Sequence, residues 1–184
     1  YGLVGSEMCI RDSLEKDLPY LQRIARETHA ANQSTVKMLA MLDPDSSFSY
    51  DNFMTLNSKS VSNNTFFGTQ SSYDASVSSG RLTYFGNDEL SNEIGKIYSH
   101  HYYRIHYNGE LLDKTYFREL PILVTGALSN KAKIRQENTK IIKTHTYITE
   151  VQLKEEIQRI YILRCNAGAD QIKKVIQMLN EELN

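Results

Sequence analysis

Residues 14–42, LEKDLPYLQRIARETHAANQSTVKMLAML, decide the fold of this chain. Their seam positions alternate in spacing between four and three residues, which is the pattern of a coiled-coil-like helix. We therefore predict one long helix from Leu14 to Leu42. Its apolar stripe is widened, as in a helical bundle, by Ile24, Ala31, Val36 and Met38. Pro19 lies in the first turns, where it either restarts the helix with Asp17 or Leu18 near the cap or kinks a helix that continues upstream.

The same spacing predicts two further long helices, at residues 88–118 and 150–182. Asn87 caps the first, which should end near Glu119 because Pro121 follows, and a capping box of Thr149 and Gln152 precedes the second. Shorter helices are predicted over Tyr50–Leu56, Ser72–Ser79 and Lys131–Lys143.

An amphipathic helix of this kind buries its stripe only against partners. We therefore predict an all-α fold: an elongated antiparallel helical bundle with three long helices and short connecting helices. The seam of the last helix is placed on Leu153, Ile157, Ile160 and Arg164. The side chains expected to be largely buried are Leu21, Leu39, Ile94, Ile157 and Val175.

Residues 57–72 are rich in Ser, Asn and Thr, which predicts a surface loop between helices. The rings of Phe66 and Phe67 should anchor this loop. Gly80 should end the short helix at Ser72–Ser79 with a positive φ, because glycine enters that region without steric cost.

The first thirteen residues, YGLVGSEMCIRDS, resemble the translation of a transposase-type sequencing adaptor, which matches Leu3 to Asp12 without a mismatch. A segment of such origin is set aside in fold reasoning. We expect residues 1–13 to have no consistent secondary structure and few contacts, and residues 14–184 to form a single helical domain. The true N-terminus, with any membrane anchor, is expected upstream of Leu14.

Composition and motifs exclude several classes of protein. With 22 acidic and 21 basic residues the net charge is −1, which provides no electrostatic footprint for nucleic acid. The sequence has no run of ~18 apolar residues, no glycine-rich phosphate loop, no Cys-x-x-Cys pair and no Gly-x-Ser-x-Gly motif. We expect neither catalytic residues nor a cofactor.

Tyr98 to Tyr107, YSHHYYRIHY, is the segment richest in potential metal ligands. His101 and His106 are five positions apart, which differs from the i, i+4 spacing that directs two imidazoles at one metal ion. No acidic residue in the segment completes a ligand set. We therefore predict that these Tyr and His side chains line the bundle between its core and water.

A polar layer is expected to cross the bundle at Thr28, Asn32, His101 and Asn108. Such a layer either sets the register of the helices or contacts a small molecule in a buried pocket. The second possibility defines an alternative function, that of a soluble bundle that binds a small molecule.

One pattern within residues 73–98 resembles a known family. It consists of an aromatic residue, Ser-Gly-x-Leu, Asn-x-x-Leu and a tyrosine, and its positions here are Tyr73, Ser79, Gly80, Leu82, Asn87, Leu90 and Tyr98. The pattern is similar to that of a domain-of-unknown-function family of bacterial single-span membrane proteins. Val77 stands where leucine is expected, and Phe85-Gly86 replaces an Ile-Lys-like pair. The residue types of the pattern are structural, because they end a helix, cap the next helix and pack its inner face.

The resemblance implies one transmembrane helix upstream and an extracytoplasmic helical region that begins with a helix like Leu14–Leu42. We therefore expect a non-enzymatic domain at the bacterial cytoplasmic membrane, facing the extracytoplasmic side, with a scaffold, interaction or sensing role. Its partners would be another protein or a second copy of the chain. A filled core with an exposed apolar stripe would favour this role, whereas a pocket beside the polar layer would favour the alternative.

Overall fold

The computed structural model describes residues 2–61, 64–84, 88–128 and 132–183, and within these the side chains of 5–61, 64–82, 88–115 and 132–183. The elements in chain order are α1 (Gly2–Met41), α2 (Tyr50–Lys59), α3 (Ser71–Ser78), a 3-10 turn (Arg81–Tyr84), α4 (Asp88–Lys96), a π-helical segment (Ile97–Tyr102), α5 (Tyr103–Leu128), α6 (Ala132–Ile142) and α7 (His145–Glu182). No strand occurs in these ranges, so the all-α prediction is confirmed. None of the helices in the described ranges is both long and apolar enough to cross a membrane.

The chain forms two compact units. Unit 1 comprises Tyr1–Ala25, Thr65–Tyr107 and Leu163–Asn184, and unit 2 comprises Arg26–Asn64 and Asn108–Ile162. Each unit contains parts of α1 and α7 together with helices from the middle of the chain.

In unit 1, α7 runs antiparallel to α1. Arg11 lies beside Asn180 near one end of the pair, and Leu21 packs against Gly168 further along. Because the position on α7 falls as the position on α1 rises, the two helices run in opposite directions.

The direction of α4, the π-helical segment and the start of α5 relative to α7 follows from their contacts in the same way. Gln171 donates a hydrogen bond to Glu93 over 2.6 Å, and Ile105 packs against Gly168. These elements are therefore also antiparallel to α7, which means that α1 and α4 run in the same direction in this unit. We expected consecutive long helices to be antiparallel, and the short helices α2 and α3 lie between α1 and α4 in the chain.

The core of unit 2 is a cluster of apolar side chains between α1, α2, α6 and α7. Its buried members are Met38, Phe53, Ile142, Tyr147 and Val151. Partly buried side chains, among them Leu39 and Leu42, pack around it. Leu39 was predicted to be largely buried, with Met38 beside it in the widened stripe. Met38 is fully buried as expected, whereas Leu39 is only half-buried.

The start of α1 contradicts the prediction for residues 1–13. The helix begins at Gly2 and continues without interruption, and Ile10 is fully buried in unit 1. Ser6, Glu7 and Ser13 are buried as well. The physical reason is periodicity, because Ile10 precedes the buried Leu14 by four residues and so extends the apolar stripe by one turn.

Two prolines do not end their helices. Pro19 lies inside α1, so the helix does not restart near Asp17. α5 continues through position 121 to Leu128, so the predicted end near Glu119 is wrong. A proline removes one backbone hydrogen bond from a helix, and the neighbouring bonds maintain the helix here.

The N-terminus and the buried face of α7 also differ from the prediction. The helix begins at His145, where the Thr144 hydroxyl accepts the backbone N–H of Tyr147 over 3.3 Å. Thr149 lies inside the helix and donates to the carbonyl of His145 over 2.9 Å, so the predicted capping box is wrong.

In unit 2 the buried face of α7 is displaced by one residue from the predicted seam. Lys154 and Gln158 are buried, while Leu153 is exposed and Ile157 is half-buried. Val36 of α1 is likewise exposed. In unit 1 the predictions hold, because Leu21, Ile94 and Val175 are fully buried.

Candidate functional site

A buried carboxylate organises the side of unit 1 where residues 65–70 cross the helices. We call these residues the strap. Asp17 on α1 accepts three hydrogen bonds: from the backbone N–H of Thr69 over 2.8 Å, from the Thr69 hydroxyl over 2.9 Å and from the Tyr102 hydroxyl over 2.6 Å. A buried ionised group is tolerated when it is hydrogen-bonded in this way. Asp17 therefore fixes the strap to α1 and to the π-helical segment.

The π-helical segment places three large side chains in the interior within six residues. Ile97, Tyr98 and Tyr102 are all buried. A π-helical turn has i to i+5 hydrogen bonds and is rare, and such turns occur often at functional sites. The sequence did not predict this turn, because an extra residue per turn leaves no distinct signature in the pattern of apolar positions.

A chain of aromatic rings runs through this region. Tyr73 stacks on Tyr98 with centroids 4.2 Å apart, Tyr98 meets Tyr102 at 5.2 Å, and Tyr102 meets Phe66 at 5.1 Å. Phe66 in turn lies 5.4 Å from Tyr20. Offset and edge-to-face pairs at these distances stabilise one another.

The environment of the two buried tyrosines keeps them protonated. Burial raises the pKa of Tyr98, and the neighbouring Asp17 charge adds to this effect. Burial also raises the pKa of Tyr102, as does the hydrogen bond that it donates to Asp17. Both phenols therefore remain neutral across the physiological pH range.

A groove of about 370 Å³ opens beside the strap. Its lining residues are Phe66, Phe67, Gly68, Gln70, Tyr102 and His106. Phe66 and Tyr102 are buried and form its floor, whereas the side of Phe67 is open to water. Gly68 lies so close to the Tyr102 ring that a Cβ atom there would overlap the ring.

Exposed aromatic rings continue from the groove onto α5. Phe67 is 67% exposed and contacts His106 edge-to-face at 4.9 Å. Tyr103 is 64% exposed and Tyr107 is 45% exposed. Residues 103, 106 and 107 share a helix face by their i, i+3, i+4 spacing. We call Phe67, Tyr103, His106 and Tyr107 the aromatic surface.

Two of the seven positions of the family pattern belong to the chain of aromatic rings. Tyr73 and Tyr98 form the stacked pair, and Leu90 is buried. Ser79 is the C-terminal cap of α3, and Gly80 has φ +70°, as predicted. The carbonyl of Leu82 accepts the Ser91 hydroxyl over 2.8 Å. Asn87 lies outside the described residues.

The polar layer is divided between the units. In unit 2, Thr28 and Asn108 are buried, and the Asn32 amide donates to the backbone and side-chain oxygens of Glu155 over 3.3 and 3.2 Å. In unit 1, burial lowers the pKa of His101, as do His100 and Arg164. The alternative function, a ligand pocket at this layer, stays a prediction.

A buried carboxylate on α4 forms a charged contact with α7 in unit 1. Glu93 receives hydrogen bonds from Lys96 and Gln171 and lies 3.2 Å from the Lys174 ammonium. The hydrogen bond from Lys96 is the largest cause that lowers the pKa of Glu93 to about 2, followed by that from Gln171. Glu93 is therefore a structural anion that fastens α4 to α7.

The sequence contained parts of the site but not its centre. Phe66, Phe67 and the segment from Tyr98 to Tyr107 were recognised as unusual, although both Phe rings were predicted as anchors and only Phe66 is buried. Asp17 was missed, because a single acidic residue on a helix gives no signal of burial. Its partners lie 52 and 85 positions away, and only the fold brings them together.

These features define a class of all-α domain with an aromatic core, a hydrogen-bonded internal carboxylate and an exposed aromatic surface. The chain belongs to the family of unknown function DUF6090, whose family model matches residues 9–154. The match begins inside the segment that resembles an adaptor translation. Comparison with curated proteins and with solved structures gives no match.

Proposed function

We propose that this chain is a non-enzymatic helical domain with an interaction or sensing role, and that the aromatic surface is the part that meets its partner. We further propose that an anchor holds it at the bacterial cytoplasmic membrane on the extracytoplasmic side. The resemblance of the Tyr73–Tyr98 pattern to that of a family of bacterial single-span membrane proteins supports the location.

The proposed interaction role rests on the exposure of Phe67, Tyr103 and Tyr107 on one face of a closely packed aromatic core. Large exposed apolar side chains that occur together are typical of interaction sites. Tyrosine and other aromatic residues are also enriched among the side chains that dominate binding energy. Burial of Phe67 in a complex would add roughly 1.5–3 kcal/mol of favourable free energy.

The chemistry of the neighbouring polar groups supports a non-enzymatic role. The Asp17 carboxylate already accepts three hydrogen bonds, and the Tyr102 hydroxyl is committed to it. A general base must lie within hydrogen-bond reach of the proton that it removes, and Asp17 is buried beneath the strap. Asp17 and Tyr102 are therefore structural groups, and the apolar rings beside them favour recognition by shape and apolar contact.

The location is tested with the complete natural reading frame fused at its C-terminus to alkaline phosphatase or to green fluorescent protein. We expect high phosphatase activity and no fluorescence in a bacterial host, because this phosphatase folds only after export. Fluorescence without phosphatase activity would contradict the location.

The role is tested by placing a photo-crosslinking amino acid at position 67 or 103 of the full-length protein in cells. The matched control is position 77 on α3, because Val77 is also exposed and belongs to unit 1. We expect one discrete protein adduct from positions 67 and 103 and none from position 77. Equal labelling from all three positions, or none from 67 and 103, would contradict the proposed surface.

A further inference from the structure

We propose that His101 is an acid-sensitive switch in unit 1: a proton gained by its imidazole weakens the packing of the π-helical segment on α7. The switch lies at a contact between helices and not on the aromatic surface. It therefore goes beyond the proposed function, and it makes the domain respond to acidification of the surrounding medium.

The first argument is the place of His101 in the packing of unit 1. Three helices approach closely at Gly168 of α7, where an added Cβ atom would lie 2.6 Å from Ile105 Cδ1 and 3.4 Å from Leu21 Cδ2. The Cβ atom of His101 lies 3.9 Å from the same point, and the side chain is half-buried. A charge that forms on the imidazole therefore forms at the edge of this contact and not in open water, which disfavours the charged form.

The second argument is the sign of the neighbouring charges. On its own segment, the His100 ring stands perpendicular to that of His101, with centroids 5.3 Å apart. Arg164 of α7 is half-buried and lies one turn before Gly168, on the same face of the helix. Among the described residues no hydrogen bond or ion pair neutralises the Arg164 guanidinium. Arg104, three residues after His101, is a further cation, although it is exposed.

The third argument is that the carboxylates of the helices packed around this segment are already committed. Glu93 on α4 is held by two lysine ammonium groups and one glutamine amide. Asp17 on α1 accepts three hydrogen bonds, from the strap and from Tyr102. A proton on His101 therefore gains little compensation from either carboxylate.

The surroundings of His101 define the direction of its pH dependence. Burial is the largest cause that lowers the pKa of His101 from its ordinary value of 6.5, followed by His100 and Arg164, and Glu93 opposes them. The unfolded chain therefore binds this proton more readily than the folded chain. The stability that depends on a neutral His101 is complete above pH ~6.5 and is lost progressively below it.

The test measures urea unfolding of the purified full chain between pH 8 and pH 5.5. His101→Gln keeps a polar side chain that cannot gain a proton. We expect the unfolding equilibrium constant of the wild type to rise toward pH 5.5 relative to that of His101→Gln. The rise is at most about tenfold for each unit by which the pKa is lowered. His29→Gln is the matched control, because His29 is exposed and belongs to unit 2, and it should retain the pH dependence of the wild type.

Two further measurements locate the effect at this contact. NMR titration of the imidazole signals should give His101 a pKa below its ordinary value, and Arg164→Gln should raise that pKa because it removes a neighbouring cation. Hydrogen exchange, corrected for its intrinsic pH dependence, should be faster at pH 5.5 than at pH 7.5 in residues 97–105 and 164–172. The protection of α2, which belongs to unit 2, should not change.

Equal pH dependence of the wild type and His101→Gln would overturn the inference, as would a His101 pKa at or above the ordinary value. Unchanged exchange in residues 97–105 would overturn it as well. If His101→Gln does not fold, the NMR titration of the wild type decides. Failure here is distinct from failure of the proposed function, because crosslinking from position 67 does not depend on the protonation of His101.

Discussion

The Tyr102 hydroxyl donates a hydrogen bond to the Asp17 carboxylate over 2.6 Å, across 85 positions of sequence. The same carboxylate holds the backbone and hydroxyl of Thr69. One side chain of α1 therefore fixes both the strap and the π-helical segment, and with them the floor of the groove. The conformation of the site depends on a contact that neither segment makes locally.

We predict that Tyr102→Phe lowers the free energy of unfolding by about 1–3 kcal/mol, because it removes a hydrogen bond to a buried carboxylate. Urea denaturation monitored by circular dichroism measures this loss. Tyr103→Phe is the matched control, since its side chain is 64% exposed and its loss should be within ~0.5 kcal/mol. Equal stability of the two variants would show that the Asp17 contact contributes little.

We predict that Glu93→Gln destabilises the domain at pH 7 by about 1–2 kcal/mol, because Lys96, Gln171 and Lys174 lose a charged acceptor. The pKa of Glu93 falls from 4.5 when unfolded to about 2 when folded. Its contribution is therefore complete above pH ~4.5 and is lost as the pH falls toward 2.

Melting temperatures of the wild type and Glu93→Gln between pH 7 and pH 2 should thus converge at the acid end. The control is Glu156→Gln, which removes an exposed carboxylate that also pairs with a cation three residues later. Water screens an exposed pair of this kind, so the substitution should change the melting temperature little at any pH. A constant difference between wild type and Glu93→Gln over this pH range would contradict the prediction.

We predict that Gly68→Ala is strongly destabilising, because the new methyl group would overlap the Tyr102 ring, which is packed on several sides. Overpacking of this kind costs typically ~1–3 kcal/mol. Gly95→Ala in α4 meets no atom within 4 Å and should stabilise by up to about 1 kcal/mol. Thermal unfolding of the pair tests the assignment, and a neutral Gly68→Ala would show that the strap can withdraw from Tyr102.

We predict that Gly80→Ala costs about 1 kcal/mol or more, because φ is +70° at this position while the new Cβ would meet no atom within 4 Å. The cost is thus one of backbone strain and not of space. Gly80→Asn should recover part of the stability, since Asn tolerates this region better than Ala. Chemical denaturation would rank the stabilities of the three proteins, and equal stability of Gly80→Ala and the wild type would contradict the argument.

The expected cost of Asn87→Ala, a loss of ~0.5–2 kcal/mol of unfolding free energy, stays a prediction.

We predict that Met38→Ala costs ~2–5 kcal/mol, because Met38 is fully buried in the core of unit 2. Leu39→Ala should cost less, since Leu39 is only half-buried at the edge of that cluster. Urea denaturation compares the two. A larger loss of unfolding free energy for Leu39→Ala than for Met38→Ala would contradict this assignment of the buried residues.

Sequence features that act within a single helical turn correctly predicted the helical class and several helix ends. The apolar spacing of Leu14 to Leu42 favours a helix over any other element, and Gly80 follows the end of α3 because it can adopt a positive φ. Helix ends that depend on neighbours were less predictable. Pro121 in the sequence predicts the end of a helix, but α5 continues beyond this position to Leu128.

The sequence alone therefore determined an all-α chain with long amphipathic helices, because backbone hydrogen bonding and side-chain periodicity are properties of a single segment. Only the tertiary structure decided which face turns inward, because that depends on the partners available. Lys154 and Gln158 are buried since Ser60 accepts hydrogen bonds from both, and Leu153 is exposed in consequence. For the same reason Phe66 enters the core beside Tyr102, while the adjacent Phe67 remains at the surface as the open wall of the groove.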